Sequence, residues 1–142
     1  MTATKLSELS VGQPLPAQTF PLERADLVRY AGASGDFNPI HWSQETAEAV
    51  GLPNVIAHGM LTMATAVRVV TDWLGDPGAV LEYGVRFTRP VVVEFGVATE
   101  LEVSGSVRSI DAEAGRAELD LIAKVGGQAV LARCRVTVRL PA

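Results

Sequence analysis

Apolar residues recur at helical spacing in the first half of the chain and predict three helices. The first covers residues 21–35, places Leu27, Val28 and Ala31 on one face, and ends at glycines. The second covers residues 43–51, where a serine can cap the start and a glycine can end the last turn. Both of these helices are short, and each has its own stop signal.

The longest predicted helix covers residues 59–74 and is stopped by Gly75 and Pro77. It is apolar over most of its circumference and leaves only a thin polar stripe, formed by Thr62, Thr65, Arg68 and Asp72. A helix this apolar has to be enclosed by other elements and not merely laid on a surface. We therefore expect the remainder of the chain to wrap around it.

The second half of the chain alternates between apolar and polar side chains with the two-residue period of half-buried antiparallel strands. Three such runs are predicted, at 98–107, 115–121 and 129–140, with turns at 111–115 and 126–127. Two earlier strands are predicted, at 81–93, bent or ended near Pro90, and at 16–20. The pattern predicts one α+β domain over residues 1–142, in which a strongly curved antiparallel sheet of about five strands holds a long central helix.

Composition and charge restrict the class of protein further. The 142 residues are 48% hydrophobic and 20% charged with a formal net charge of −4, which is typical of a globular domain and argues against a nucleic-acid partner. The N-terminus has no apolar segment like that of a signal peptide, and no run approaches the roughly 18 apolar residues of a membrane span. The single cysteine, Cys134, is in phase with apolar strand positions, which favours a core residue over a nucleophile. We expect a cytoplasmic protein that does not associate with membranes.

The segment "YAGASGDFNPIHW", residues 30–42, contains an acid and an imidazole, Asp36 and His41, five positions apart. A continuous helix would turn them about 500° apart, and Pro39 excludes helical geometry there in any case. A stiff loop could instead bring both side chains to one water, an arrangement suited to adding or removing water across a double bond. The alternative is that Asp36 caps a turn and His41 is an ordinary hydrogen-bonded turn residue.

The segment "AHGM" places Gly59 at the start of the predicted central helix. The first turn of a helix offers unpaired N–H groups and the positive end of the dipole, and glycine lets another group approach closely. This terminus could polarise a thioester carbonyl and stabilise the oxygen of an enolate-like intermediate. Alternatively, Gly59 only permits tight packing, and His58 is an ordinary neighbour of the helix.

Together these segments resemble the signature of a known family. "YAGASGDFNPIHWSQETA" followed by "IAHGMLTM" is similar to the motifs of the (R)-specific enoyl hydratase and MaoC-like dehydratase family of hot-dog proteins. "DWLGDPGAVLEYGVRFTRPV" is similar to the corresponding stretch in the β subunit of the mycobacterial-type (3R)-hydroxyacyl-ACP dehydratase. The resemblance covers essentially the whole chain and implies a hot-dog fold, in agreement with the predicted wrapped helix.

The resemblance also implies a role for each residue of the motifs. Asp36 and His41 would be the catalytic pair around the water, with the assignment of acid and base left open, and Asn38 would order the loop and the imidazole. The Gly59 N–H would hold the thioester carbonyl, so Asn38 and Gly59 are the expected substrate-binding residues. The implied reaction, in fatty-acid elongation, is reversible dehydration of (3R)-hydroxyacyl thioesters, on ACP or CoA, to trans-2-enoyl thioesters. This chain would be the catalytic subunit of a homodimer or of a heterodimer with a related hot-dog subunit.

Three alternatives stay open: a stand-alone (R)-specific enoyl-CoA hydratase, a thioesterase with the same fold, and a non-catalytic acyl-binding subunit. The acid–imidazole loop argues for hydration over thioester hydrolysis, and retention of both motifs argues against an inert subunit. No metal site is predicted, because the two histidines lie seventeen residues apart and no C-x-x-C pair exists. No phosphate loop or dinucleotide fingerprint appears, so no cofactor is predicted.

Overall fold

The computed structural model describes residues 5–141. The helices are α1 (Arg24–Ser34), α2 (Gln44–Ala49) and α3 (Gly59–Leu74). The strands are β1 (Pro14–Leu22), β2 (Val80–Phe87), β3 (Thr99–Asp111), β4 (Arg116–Val125), β5 (Gln128–Ala129) and β6 (Leu131–Arg139). Short 3-10 turns cover Leu6–Glu8, Pro39–His41 and Pro77–Ala79.

The strands form one antiparallel sheet in the order β1-β3-β4-β6-β2, with the two-residue β5 paired to β4. The predicted α+β fold is confirmed, and the sheet has six strands because β5 is separate from β6. β1 is longer than predicted, and β2 ends three residues before Pro90. No helix among residues 5–141 is long and apolar enough to cross a membrane.

The core lies between α3 and the inner face of the sheet. From Ala66 to its C-terminal end, α3 contributes Ala66, Val69, Val70 and Leu74, all of them buried. The alternating strand positions that were predicted to face inward are also buried; they include Leu101, Val103, Val107, Ala117, Leu119 and Leu121. The two-residue period therefore predicted the inner face of β3 and β4 correctly.

The predicted polar stripe of α3 is wrong at its N-terminal end. Thr62 and Thr65 are buried, and each hydroxyl donates to a carbonyl one turn earlier, those of His58 (3.4 Å) and Leu61 (2.8 Å). Because a threonine in a helix can satisfy its own hydroxyl in this way, it can enter the core at small cost. Met60, which the apolar pattern would enclose, is 58% exposed.

Two further details of packing differ from the sequence prediction. Val28 is 59% exposed, because α1 buries only the narrower face that carries Leu27 and Ala31. The alternation predicted across 129–140 slips at Arg133, whose φ of 48° marks an irregularity in the strand. Val130 and Leu131 are therefore both buried, and Ala132 is only partly buried. Gly35 ends α1 with a φ of 77°, a left-handed conformation that favours glycine.

Cys134 is buried in β6, which confirms it as a core residue. Its sulfur lies 3.6 Å from the hydroxyl oxygen of Tyr83, and that hydroxyl donates to the carbonyl of Met63 on α3 at 2.9 Å. Burial raises the pKa of the Cys134 thiol and also that of the Tyr83 hydroxyl. Both groups are therefore neutral links between the sheet and the helix.

Candidate active site

The loop between α1 and α2 is held by its own short polar side chains. Asp36 accepts a hydrogen bond from the backbone N–H of Asn38 through Oδ1, at 3.1 Å. Asn38 accepts in turn from the N–H of Ile40 through its side-chain oxygen, at 3.3 Å, and so caps the 3-10 turn Pro39–His41. Two successive Asx turns followed by a proline account for the stiffness that the sequence predicted.

His41 presents one nitrogen to Asp36. Its Nδ1 lies 2.7 Å from the carbonyl oxygen of Ile56, which can only accept, so Nδ1 carries a proton. Its Nε2 lies 3.9 Å from Oδ2 of Asp36, too far for a direct hydrogen bond but a separation that one water or substrate hydroxyl can bridge. The ring is 7% exposed, while the Asp36 side chain is about half exposed.

The structure shows that Asp36 can cap a turn and face His41 at the same time, so the two interpretations do not exclude each other. One carboxylate oxygen, Oδ1, caps the turn, and the other, Oδ2, faces His41. Turn formation is thus the means by which the loop points the acid at the imidazole.

Gly59 is the first residue of α3, and its backbone lines a cavity of about 320 Å³ that His41 also lines. The other walls of this cavity include Ile56, Thr62, Phe87, Val91, Val130 and Leu131. A Cβ added at Gly59 would lie 3.1 Å from the ring of Phe87, so close packing requires a small residue here. The first N–H groups of a helix have no acceptor within it, so the N–H of Gly59 can hold an oxygen in the cavity.

His58, interpreted from the sequence as an ordinary neighbour of the helix, lies at the centre of the site. It is 1% exposed, and its Nε2 lies 3.1 Å from the backbone carbonyl oxygen of Asp36. Its ring stacks on that of His41 with 3.8 Å between centroids and 22° between planes, and meets Tyr30 edge-on at 4.8 Å. Burial lowers the pKa of His58, an effect that the hydrogen bond to Asp36 only partly opposes. The signal available in the sequence was its position directly before Gly59.

Ligand atoms of Asp36, His41 and His58 lie within 4.8 Å of one another. The spacing of the two histidines did not predict this cluster, because the contact joins a loop to the start of a helix seventeen residues further on. Hydrogen bonds commit one nitrogen of each ring to a backbone carbonyl, so only one nitrogen of each remains for other partners. Asn38 lies at the edge of this group and acts on it through the turn that carries His41.

Comparison with known proteins identifies the class. Residues 7–125 match the family described as MaoC like domain, and the chain belongs to this family. The predicted family and its hot-dog fold are confirmed.

Particular relatives are dehydratases by name. The chain is 39% identical over 80 residues to the 3-hydroxyacyl-thioester dehydratase X of Mycobacterium tuberculosis. The matched region covers 56% of this chain and 28% of that protein. It is 32% identical over 111 residues to the 3-hydroxybutyryl-CoA dehydratase of Methylorubrum extorquens, covering 78% of this chain and 68% of that protein. A solved structure of a MaoC-like dehydratase matches with a TM-score of 0.94 and 39% identity, over 97% of this chain and 42% of that one. The chain thus spans little more than a quarter of the first relative's length and less than half of the matching structure.

Proposed function

We propose that this protein catalyses the reversible loss of water from a (3R)-hydroxyacyl thioester to give the trans-2-enoyl thioester. The observation that carries the proposal is the 3.9 Å separation of Asp36 Oδ2 and His41 Nε2, beside a cavity that the start of α3 also lines. The names of the two dehydratase relatives support the same reaction class.

The dehydration needs one base and one acid on the same side of the substrate. The base takes the proton from C2, the bond between C3 and its hydroxyl breaks, and the acid protonates the departing oxygen so that water leaves. With a proton on Nδ1, a neutral His41 accepts at Nε2 and an imidazolium donates there, so the same nitrogen serves either direction. Asp36 is the second proton carrier, and the hydration direction reverses both roles.

The thioester carbonyl binds at the N-terminus of α3. Negative charge grows on the carbonyl oxygen when C2 loses its proton, and the N–H of Gly59, together with the positive end of the helix dipole, stabilises it. The apolar walls of the cavity receive the carbons next to the thioester. Donors that are already fixed in the helix need no rearrangement at the moment of reaction, which is why this position is effective.

Arg89 lies on the wall of this cavity and carries a positive charge. The phosphopantetheine arm of CoA and of an acyl carrier protein carries phosphate, and a guanidinium pairs well with phosphate oxygens. We therefore assign Arg89 to the carrier end of the substrate. Enoyl thioesters of CoA, of acyl carrier protein and of phosphate-free pantetheine, tested with wild type and Arg89→Gln, separate this contact from the chemistry.

The chain pairs with a second hot-dog subunit through the edge strand β2. β2 ends one side of the sheet order, and it exposes large apolar side chains, with Leu81 at 43% and Phe87 at 51%. An exposed apolar edge strand is a template for pairing with another strand. A homodimer and a heterodimer are distinguished by the mass of the purified chain in solution and by whether that chain is active alone.

The test is enoyl-thioester hydration by the purified chain, with short and long acyl groups, in wild type, Asp36→Asn and His41→Ala. We expect each substitution to lower kcat/KM by about 10²- to 10⁴-fold, the usual contribution of a general acid or base. Because Asn keeps the size of Asp36 and its turn-capping oxygen, a loss in Asp36→Asn reports on proton transfer and not on the loop.

Other outcomes select the alternatives. Release of free thiol from the acyl thioester without hydration identifies a thioesterase. Activity that requires a second subunit identifies the catalytic member of a heterodimeric dehydratase, and an assembly that stays inert identifies an acyl-binding subunit. Activity that survives both substitutions contradicts the assigned pair.

A further inference from the structure

We propose that His58 is a positioning residue that holds the carboxylate of Asp36, the imidazole of His41 and the amide of Gly59 in one fixed arrangement. The inference rests on the proposed function, since it assigns His58 to the same site. Three contacts carry it: a hydrogen bond to the loop, a ring stack on the imidazole, and a covalent bond to the first residue of α3.

The hydrogen bond determines which nitrogen of His58 is protonated. The carbonyl oxygen of Asp36 accepts only, so Nε2, at 3.1 Å, carries the proton and donates it. Nδ1 is buried and has no hydrogen-bond partner among the described residues. Nothing there holds a second proton, and the ring is therefore neutral, in keeping with its lowered pKa. This donor ties the backbone at Asp36 to α3, twenty-two residues further along the chain.

The ring stack restrains His41 on one face of its imidazole. With centroids 3.8 Å apart and planes at 22°, the ring of His41 has room neither to tilt nor to flip without displacing His58. Neutrality of His58 matters because His41 passes through an imidazolium during the reaction. Two charged rings at this distance would repel each other strongly, whereas a neutral ring can remain stacked throughout the cycle. The other groups that face the His58 ring are Tyr30 and the carboxyl of Asp36.

The third connection is to the helix. The carbonyl oxygen of His58 accepts from the N–H of Thr62 at 3.1 Å and from its hydroxyl at 3.4 Å, which makes His58 the N-cap of α3. Any rotation of the His58 backbone would therefore move the Gly59 amide as well. One residue thus links all three parts of the proposed site.

A purely structural role does not account for this choice of residue. A buried polar nitrogen without a partner costs stability, and an apolar ring would fill the same space without that cost. The chain instead keeps a histidine whose single donor points at the catalytic loop. Such departures from good packing are typical of functional sites.

Two substitutions separate the contacts. His58→Phe keeps a ring for the stack but has no donor for the Asp36 carbonyl, and His58→Gln keeps a donor that can reach that carbonyl but has no ring. Val136→Ala, at a buried position of β6 away from the site, serves as a control for lost stability. Each variant is measured for melting temperature, kcat and KM with an enoyl thioester.

We expect His58→Phe to lower kcat by about 10²-fold with KM within about threefold, because a small displacement of catalytic groups costs about this much in rate. We expect kcat of His58→Gln to be at least about tenfold higher than that of His58→Phe, because glutamine restores the donor. His58 has no positioning role if kcat of His58→Phe stays within about threefold of wild type. The same holds if His58→Phe and Val136→Ala have equal melting temperatures and lose kcat equally.

A second readout does not depend on activity. The chain has two histidines, so nitrogen NMR of the imidazoles assigns both rings directly. We expect one fixed tautomer for His41, protonated on Nδ1, in wild type and in Val136→Ala, and tautomer averaging in His58→Gln. In His58→Phe we expect the backbone amide signals of residues 36–38 to shift or broaden. If the wild-type protein hydrates no thioester, the proposed reaction is wrong. If the His41 tautomer and the amide signals of residues 36–38 are unchanged in His58→Phe and His58→Gln, the positioning role is wrong.

Discussion

The two halves of α3 bury different kinds of side chain, although they belong to one continuous helix against one sheet. From Ala66 to its C-terminal end, the helix buries Ala66, Val69, Val70 and Leu74, which fill the core and have no polar groups to satisfy. The N-terminal half buries Thr62 and Thr65, preceded by the buried His58 at the cap. Apolar packing is concentrated at one end of the helix, and the proposed chemistry lies at the other.

This difference explains why the cavity lies where it does. At the C-terminal end, apolar side chains can interdigitate fully with the sheet, because close packing is what apolar surface favours. At the N-terminal end, a ligand of the polar groups and backbone N–H donors would need open space beside them. Gly59 and Thr62 line the cavity that provides it. The comparison predicts that substitutions at the two ends have separable effects.

Among substitutions within α3 itself, the largest expected change is in stability, at the apolar end. Val70→Ala removes two buried methyl groups and should lower the free energy of unfolding by about 2 kcal/mol, from lost burial plus a residual cavity. Because Val70 does not line the cavity around His41, kcat of the folded fraction should stay within about twofold of wild type. Urea unfolding and single-temperature kinetics check the two parts, and a loss of kcat without a loss of stability would remove the distinction between the halves.

The next effect is at the polar end. Gly59→Ala adds a Cβ that would lie 3.1 Å from the Phe87 ring, so the ring or the start of α3 must shift by a few tenths of an ångström. We expect kcat/KM to fall about tenfold, roughly the 1.4 kcal/mol expected when one oxyanion contact is weakened but not removed. The measurement is steady-state hydration by the two enzymes under matched conditions.

Gly32→Ala is the matched control for that change. Gly32 is an exposed helical position of α1 where an added Cβ meets nothing within 4 Å. It should stabilise the protein by about 0.5–1 kcal/mol through the lower chain entropy of alanine, without changing the kinetics. Equal losses of activity at both glycines would show that the effect of Gly59 is not specific to the site.

A smaller effect is expected from pH. Because burial lowers the pKa of His58, the unfolded chain binds a proton at this residue more readily than the folded protein does. Stability should therefore fall as pH drops below about 6.5, the ordinary value for histidine, with a slope of at most about 1.4 kcal/mol per pH unit from this group. Above that pH both states are neutral at His58 and the contribution vanishes.

Urea unfolding between pH 7.5 and 5 measures this slope, and His58→Phe should reduce it because the titrating group is gone. Val70→Ala should lower stability equally at every pH in this range. A slope that is unchanged in His58→Phe would mean that other groups cause the acid sensitivity.

The smallest expected effect is that of chelation. In the proposed mechanism the pair of proton carriers and the helix N-terminus supply the chemistry without a metal ion, so dialysis against EDTA should leave kcat/KM within about twofold of that of the untreated enzyme. The cluster of Asp36, His41 and His58 makes this a real test. An activity that disappears on chelation and returns with added zinc would show that these three residues bind a metal.

Much of this architecture follows from local patterns. The 3.6-residue and two-residue periods predicted α3 and the inner faces of β3 and β4, because burial of alternate apolar positions is decided residue by residue along each element. Asx turns and a proline likewise specify the loop from Gly35 to His41 through contacts at most three residues apart. The single-domain extent over residues 1–142 and the cytoplasmic location stay predictions.

Other features depend on contacts between segments far apart in the chain, which no local pattern encodes. The stack of His58 on His41 and the hydrogen bond from His58 to Asp36 join the loop to α3 across seventeen and twenty-two residues. The burial of Thr62 and Thr65, and the exposure of Val28, depend on which side of each helix meets the sheet. Periodicity can name the residues that share a face, but the partner of that face is set by how the whole chain closes around its core.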